Sequence, residues 1–118
     1  MNNAHQPEAS ASGHKLRSFG GREILVDQEG FLVDPTVWSE EVAVEMAHEQ
    51  GLRVIEAAHW ETIRFLREYY FTNGKAPMSR DIKKGTGRSL LEIEQLFPGG
   101  LKEGARRLAG LPNPRGCM

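Results

Sequence analysis

The 118-residue sequence holds one cysteine, Cys117, and it stands next to last. A thiolate is the nucleophilic form of cysteine, and it can take up a sulfane sulfur to become a persulfide, Cys-S-SH. A lone cysteine is ordinarily a small buried hydrophobe. The position of this one argues otherwise, because the residues around it carry no apolar pattern that would bury them. Pro112 and Pro114 fix φ and stiffen the segment, and Gly116 lets the backbone beside the sulfur pass through a narrow opening. Residues 110–118 span roughly 25–30 Å if extended, which suits a sulfur that must enter another protein's active site. Arg115 favours the thiolate and the α-carboxylate of Met118 opposes it. One cysteine excludes an intramolecular disulfide and any multi-cysteine zinc site. Sulfur taken up by Cys117 can therefore leave only to an external acceptor.

Other groups are weaker candidates. His5, His14, His48 and His59 show no metal-ligand spacing. His59 falls on the apolar face of a helix, where a hydrogen-bonded structural role is expected. Trp38 and Trp60 read as core anchors or partner contacts. Arg67 reads as an ion-pair partner or as a dock for the C-terminal segment. Lys83-Lys84-Gly85-Thr86-Gly87-Arg88 lacks the spacing of a phosphate-binding P-loop and is read as a basic loop between helices. Arg80, Lys83, Lys84, Arg88, Arg106 and Arg107 could form one basic patch near the root of the C-terminal segment. Such a patch would receive an acidic partner, hold a sulfur anion or touch nucleic-acid phosphates, or it is simply a solvated surface. No acid–base pair, Ser/His/Asp set or cofactor fingerprint is evident, so no cofactor is expected.

These groups need a scaffold. Residues 1–18 are polar and are expected to be a disordered tail. Residues 23–26 and 30–33 are β-prone, and Asp27-Gln28-Glu29-Gly30 between them supplies turn chemistry, so a hairpin is expected there. Ser39 is an N-cap for a helix over about 39–50, with Ala43, Met46 and Ala47 on its apolar face. Ile55, His59, Ile63, Leu66 and Tyr70 recur at helical spacing and predict a long helix over about 56–72. Shorter helices follow at about 80–85, capped by Ser79, at about 90–97, capped by Ser89, and at 101–108. The fold class is mainly α with a small N-terminal β-hairpin (α+β). About five helices with the hairpin fill 19–109, and an irregular, flexible arm covers 110–118.

Composition agrees with a single globular domain: 39% hydrophobic and 26% charged residues. No apolar run is long enough to span a membrane and no secretory leader is seen, so the expected compartment is the cytoplasm. The net charge of −1 conceals an asymmetry. Residues 1–74 carry 6 basic against 12 acidic side chains, and residues 75–118 carry 9 against 4. Such block asymmetry is first a dipolar, solvated surface, and second a basic C-terminal face that meets an acidic protein or RNA partner.

The sequence resembles the DsrC/TusE sulfur-carrier family. The resemblance runs over about residues 22–118. It rests on Asp27-Gln28-Glu29-Gly30-Phe31-Leu32, Trp38, His59-Trp60, Arg67, Tyr69-Tyr70, Pro77, Arg80, Leu96-Phe97-Pro98-Gly99 and the terminal Ala109 to Cys117. It implies a five-helix, winged-helix-like orthogonal bundle with an N-terminal β-hairpin and a mobile C-terminal arm. Cys117 would pass a persulfide from a donor protein to an acceptor enzyme, either a tRNA thiolase or a sulfur-oxidation enzyme, with indirect tRNA contact in the first case. DsrC proteins proper carry a second cysteine where this chain has Arg106, so the two-cysteine cycle tied to sulfite reductase is not expected here. Arg106 could instead bias the resting position of the arm. The alternatives are a winged-helix-like nucleic-acid-binding regulator related to sulfur metabolism, a DsrC-like accessory subunit of a sulfite reductase, and an adaptor that docks on a larger enzyme with Cys117 idle.

Overall fold

The computed structural model describes residues 13–114. Lys15–Phe19 (β1) and Arg22–Val26 (β2) pair antiparallel, with Lys15 opposite Val26 and Phe19 opposite Arg22. The hairpin therefore lies earlier than expected, and residues 15–18 belong to a strand rather than to a tail. Gly20 and Gly21, both at positive φ, make the two-residue turn whose twist matches the strands. Phe19, Ile24 and Val26 share the buried face. The β-prone run after Gly30 contributes a single bridge, Val26 to Leu32. Asp27 curls the chain there: its Oδ1 accepts the backbone N–H groups of Glu29 and Phe31 at 2.8 and 3.0 Å. That side chain competes with ladder pairing, so the turn forms but no second hairpin grows from it.

A short 3-10 turn at Pro35–Val37 leads into α1, Glu40–Glu49. Ser39 caps α1 as expected, accepting from Val42 N–H at 3.3 Å. Its buried face is Val42, Ala43, Met46 and Ala47. The long helix α2, Ala57–Asn73, buries His59, Thr62, Ile63 and Leu66. Two short helices follow, α3 at Ser79–Thr86 and α4 at Leu90–Leu96. Ser89 and Glu92 form a reciprocal capping box at the start of α4. At α3 the cap differs from expectation: Asp81 reaches back to Met78 N–H at 2.9 Å, and Ser79 already lies inside the helix.

The last helix, α5 (Gly100–Arg106), is wound as a wide π-type turn. Gly99 and Gly104 allow it. A Cβ on Gly99 would lie 2.7 Å from Gly104 N, and one on Gly104 would lie 2.7 Å from Phe97 Cβ. The core gathers residues from every element, among them Phe19, Val26, Leu32, Met46, Ile63, Leu66, Ile82, Ile93, Phe97, Leu108 and Leu111. The described architecture is thus five helices with one two-stranded hairpin. Among the described residues no helix is long and apolar enough to cross a membrane.

Candidate functional site

The described chain ends in the segment Leu108–Pro114, and side chains from distant elements hold it. Gly110 is left-handed at φ +71°, which turns the chain out of α5. A Cβ at Gly110 would fall 2.2 Å from Trp38 Cδ1, so the indole and this stretch of backbone touch directly. Trp38 Nε1 donates to Leu108 O at 2.7 Å. Arg67, on α2, donates to Ala109 O at 2.8 Å and to Pro35 O at 3.3 Å. Its guanidinium lies 4.2 Å from the Trp38 ring centre and 5.1 Å from that of Phe71. Burial pulls the Arg67 guanidinium below the usual arginine range. The hydrogen bonds and ring faces replace the water it has lost.

Further along, Arg106 Nε donates to Pro112 O at 3.2 Å. Asn113 Nδ2 donates to Asp27 Oδ2 at 3.1 Å and to Glu29 Oε1 at 3.0 Å. Asp27 thus serves two ends: one oxygen shapes its own turn and the other holds Asn113. The described part of the expected 110–118 arm is thus tied to the body. Gly110 and Leu111 are buried, with Leu111 fully inside the core, and Pro112, Asn113 and Pro114 are half-buried. A single apolar residue, Leu111, anchors what the flanking prolines made look like free chain. Beside Pro114 lies a cavity of about 140 Å³, lined mainly by Leu66, Ala76, Pro77, Ile82, Leu101 and Arg106.

The expected site residues are distributed as follows. Pro112, Pro114 and Arg106 meet at this root. Arg106 is buried at 6% exposure and turned onto the segment, so it is not part of a solvent-facing patch. Arg115, Gly116 and Cys117 lie outside the described residues. Arg80, Lys83 and Lys84 are exposed along α3. Arg88 is bonded to Glu61 at 3.1 Å. Arg107 lies over the Phe31 ring at 4.8 Å, in a cavity that it shares with β1 residues. The six basic residues therefore do not act as one cluster.

His59 is a structural crossbar. Its Nδ1 accepts Glu56 N–H at 2.9 Å, so Nε2 carries the proton and donates to Leu96 O at 2.9 Å. Among the described residues, no group of three His, Cys, Asp or Glu side chains is placed to hold a metal ion. Asp27 and Asn113 were not read as site residues from sequence. The signal was an acidic turn whose second carboxylate oxygen was not needed by the turn, and an amide between two prolines.

A family model described as DsrC like protein matches residues 18–118. The dissimilatory-type sulfite reductase subunit gamma of Nitratidesulfovibrio vulgaris is 40% identical over 101 residues, which cover 86% of this chain and 96% of that protein. A protein of Salmonella choleraesuis named sulfurtransferase TusE is 37% identical over 107 residues, covering 85% of this chain and 97% of its own length. A crystal structure of dissimilatory sulfite reductase I (DsrI) superposes with a TM-score of 0.81 at 40% identity, over 88% of this chain and all of the other.

Proposed function

The chain belongs to the family of DsrC-like proteins, and on that premise we propose that it is a sulfur carrier whose cargo rides on Cys117 as a persulfide. The observation that carries the assignment to this residue is the convergence at the root. Trp38, Arg67, Arg106 and the Asp27 turn all hold backbone or side chain between Leu108 and Asn113. The sequence's one thiol follows three residues after Pro114. Spending an indole, two guanidiniums and a buried carboxylate on one terminal segment makes sense if its position matters.

The chemistry is sulfane transfer without net oxidation. The Cys117 thiolate attacks the outer sulfur of a donor protein's persulfide. The donor S–S bond breaks, the donor leaves as a thiolate, and a new S–S bond forms on Cys117. Delivery is the same step in reverse, with an acceptor's thiolate attacking the outer sulfur and Cys117 leaving. Arg106 occupies the root position and binds Pro112, so it sets the starting direction of the arm and leaves a single-cysteine relay.

The partners are a persulfide-donor protein and an acceptor enzyme of tRNA thiolation or sulfur oxidation. The exposed Arg80, Lys83 and Lys84 on α3, with Arg88 beside them, supply a basic face for the acceptor.

Intact-mass measurement after incubation with a persulfide-loaded sulfurtransferase tests the proposal. The expected gain is one sulfur atom, about 32 Da, absent in Cys117→Ser. A donor that loads other carriers but never this protein, or a gain that persists in Cys117→Ser, overturns it. Transfer onward to a tRNA thiolase or to a sulfur-oxidation enzyme then decides the acceptor.

A further inference from the structure

The cavity of about 140 Å³ beside Pro114 has an almost wholly apolar wall. Leu66 comes from α2, Pro77 from the loop after it, Ile82 from α3, Leu101 from α5 and Pro114 from the end of the root. Lys102 and Arg106 border it with their carbon stems. Protein interiors leave few voids larger than a water molecule. A dry cavity of about 150 Å³ takes up a group the size of benzene, so this one has room for a single leucine- or phenylalanine-sized side chain. Met78, which follows Pro77, is 62% exposed and adds an adaptable apolar side chain.

The surface that carries this cavity is basic. Residues 75–88 hold five basic side chains against one acidic, in a chain whose first 74 residues carry 6 basic against 12 acidic. Lys75, Arg80, Lys83 and Lys84 are exposed, and among the described residues none of them has a carboxylate within ion-pair distance. Arg88 is taken by Glu61, and Lys102 stands 3.6 Å from Glu29. The acid of this stretch, Asp81, is turned to Met78 N–H and to the Tyr69 hydroxyl. One helix, α3, thus sends Ile82 into the cavity wall and Arg80, Lys83 and Lys84 into solvent. An apolar hole in a basic surface selects its occupant twice, by a side chain that gains from leaving water and by negative charge beside that side chain.

We propose that this cavity is a docking socket for an acidic segment of a partner protein, which inserts one leucine- or phenylalanine-sized side chain between Pro77, Leu101 and Pro114. The proposal rests on the sulfur-carrier reading for why a partner comes to this face, and it adds what that partner must present. The inserted side chain touches Pro114 and the stem of Arg106, whose Nε holds Pro112 O, so docking acts directly on the root. The chain's own end is the competing occupant, through Met118, but it brings the cation of Arg115 to a surface that is already basic.

The test uses the full-length Cys117→Ser protein, which carries no sulfur, so that failure of the socket and failure of the carrier reading are read in separate experiments. The probe is a capped acidic peptide with a central leucine, Glu-Asp-Glu-Gly-Leu-Gly-Glu-Asp-Glu, titrated at constant ionic strength. The methyl groups of Leu66, Ile82 and Leu101 report in proton–carbon correlation spectra. They are expected to shift together and to saturate with one dissociation constant. Replacing the peptide's leucine by glycine is expected to weaken binding at least about tenfold, as burial of a leucine side chain requires. Lys75→Glu combined with Lys83→Glu, both at exposed sites, is expected to weaken it about fivefold. Ala76→Leu, which fills the cavity from its edge, is expected to abolish saturation. If that variant unfolds, the glycine peptide and the charge reversals still decide. Equal binding of the leucine and glycine peptides, or methyl shifts that never saturate, overturns the socket. Equal binding of a peptide with lysines in place of its acids overturns the acidic partner. Methyl signals that move in Met118→Ser before any peptide is added assign the cavity to the chain's own end and overturn the partner as its occupant.

Discussion

The root at 108–114 and the corner between α3 and α4 are both short, polar stretches of chain, yet they are held by opposite means. The corner is fastened locally. Asp81 caps Met78, Thr86 Oγ1 bonds Ile82 O and Arg88 N, and Ser89 and Glu92 cap each other. The root is fastened from afar. Trp38 reaches across 70 residues, Arg67 across 42 and Asn113 across 86. Local fastening tolerates loss, because each bond spans one turn and water can replace it. Remote fastening is cooperative, because the groups that hold the root also hold the Asp27 turn, α2 and the 3-10 turn together.

Two glycines make the sharpest comparison. Gly110 and Gly87 both sit in the left-handed region, at φ +71° and +77°. A Cβ at Gly110 meets the Trp38 ring, whereas one at Gly87 meets nothing within 4 Å. Gly110→Ala is expected to cost about 2–4 kcal/mol, combining backbone strain with displacement of the indole. Gly87→Ala should cost about 1 kcal/mol, from backbone strain alone. Equal shifts in denaturant midpoint would remove the distinction between the two regions.

Arg67→Met should come next, at about 2–3 kcal/mol, since it strands the Ala109 carbonyl and takes one of two donors from that of Pro35, the other being Trp38 N–H, while keeping much of the side-chain volume. Trp38→Phe isolates one bond, to Leu108 O, and should cost about 1–2 kcal/mol. Both should also speed amide exchange at residues 109–111, a readout that corner variants leave unmoved. Ser89→Ala should cost about 1 kcal/mol, the usual worth of an N-cap.

The smallest effect concerns acid. The Ser89 backbone N–H holds the Glu92 carboxyl below its ordinary value. A carboxyl lowered in the folded state stabilises fully above its unfolded value, and that contribution fades as pH falls through the lowered one. Glu92→Gln should therefore flatten a small part of the stability loss on acidification, measured by thermal melts across the carboxylate range. Root variants should leave that slope intact.

The same contrast governs what could be read from the sequence. Ser39 and Ser89 were legible as caps because their partners lie three residues away. The apolar stripe of α2 was legible because it repeats. The hairpin reads one strand late because polar residues disguise β1: Lys15, Arg17 and Ser18 read as tail, 23–26 reads as the strand it is, and only Phe19, Ile24 and Val26 go inside. Asp27-Gln28-Glu29-Gly30 was rightly seen as a turn, but its bond to Asn113 leaves no local trace. The root was taken for free chain because Pro112 and Pro114 are loud signals and Leu111 is a quiet one. Arg106 was singled out for what it replaces, while its burial depends on the wide winding of α5, which Gly99 and Gly104 permit and no periodicity announces.

The clamp on the terminal segment has a consequence for how cargo changes hands. Only three peptide units separate Pro114 from Cys117, and at roughly 3.3–3.6 Å each they place the cysteine no more than about 11 Å away. In the proposed relay, a leash that short keeps the sulfur from searching for its recipient. The recipient has to berth against the body itself, close to Pro77 and Lys102, before the thiol is within range. The choice of recipient is then written on that landing surface, and proteins with the same last few residues can serve different enzymes.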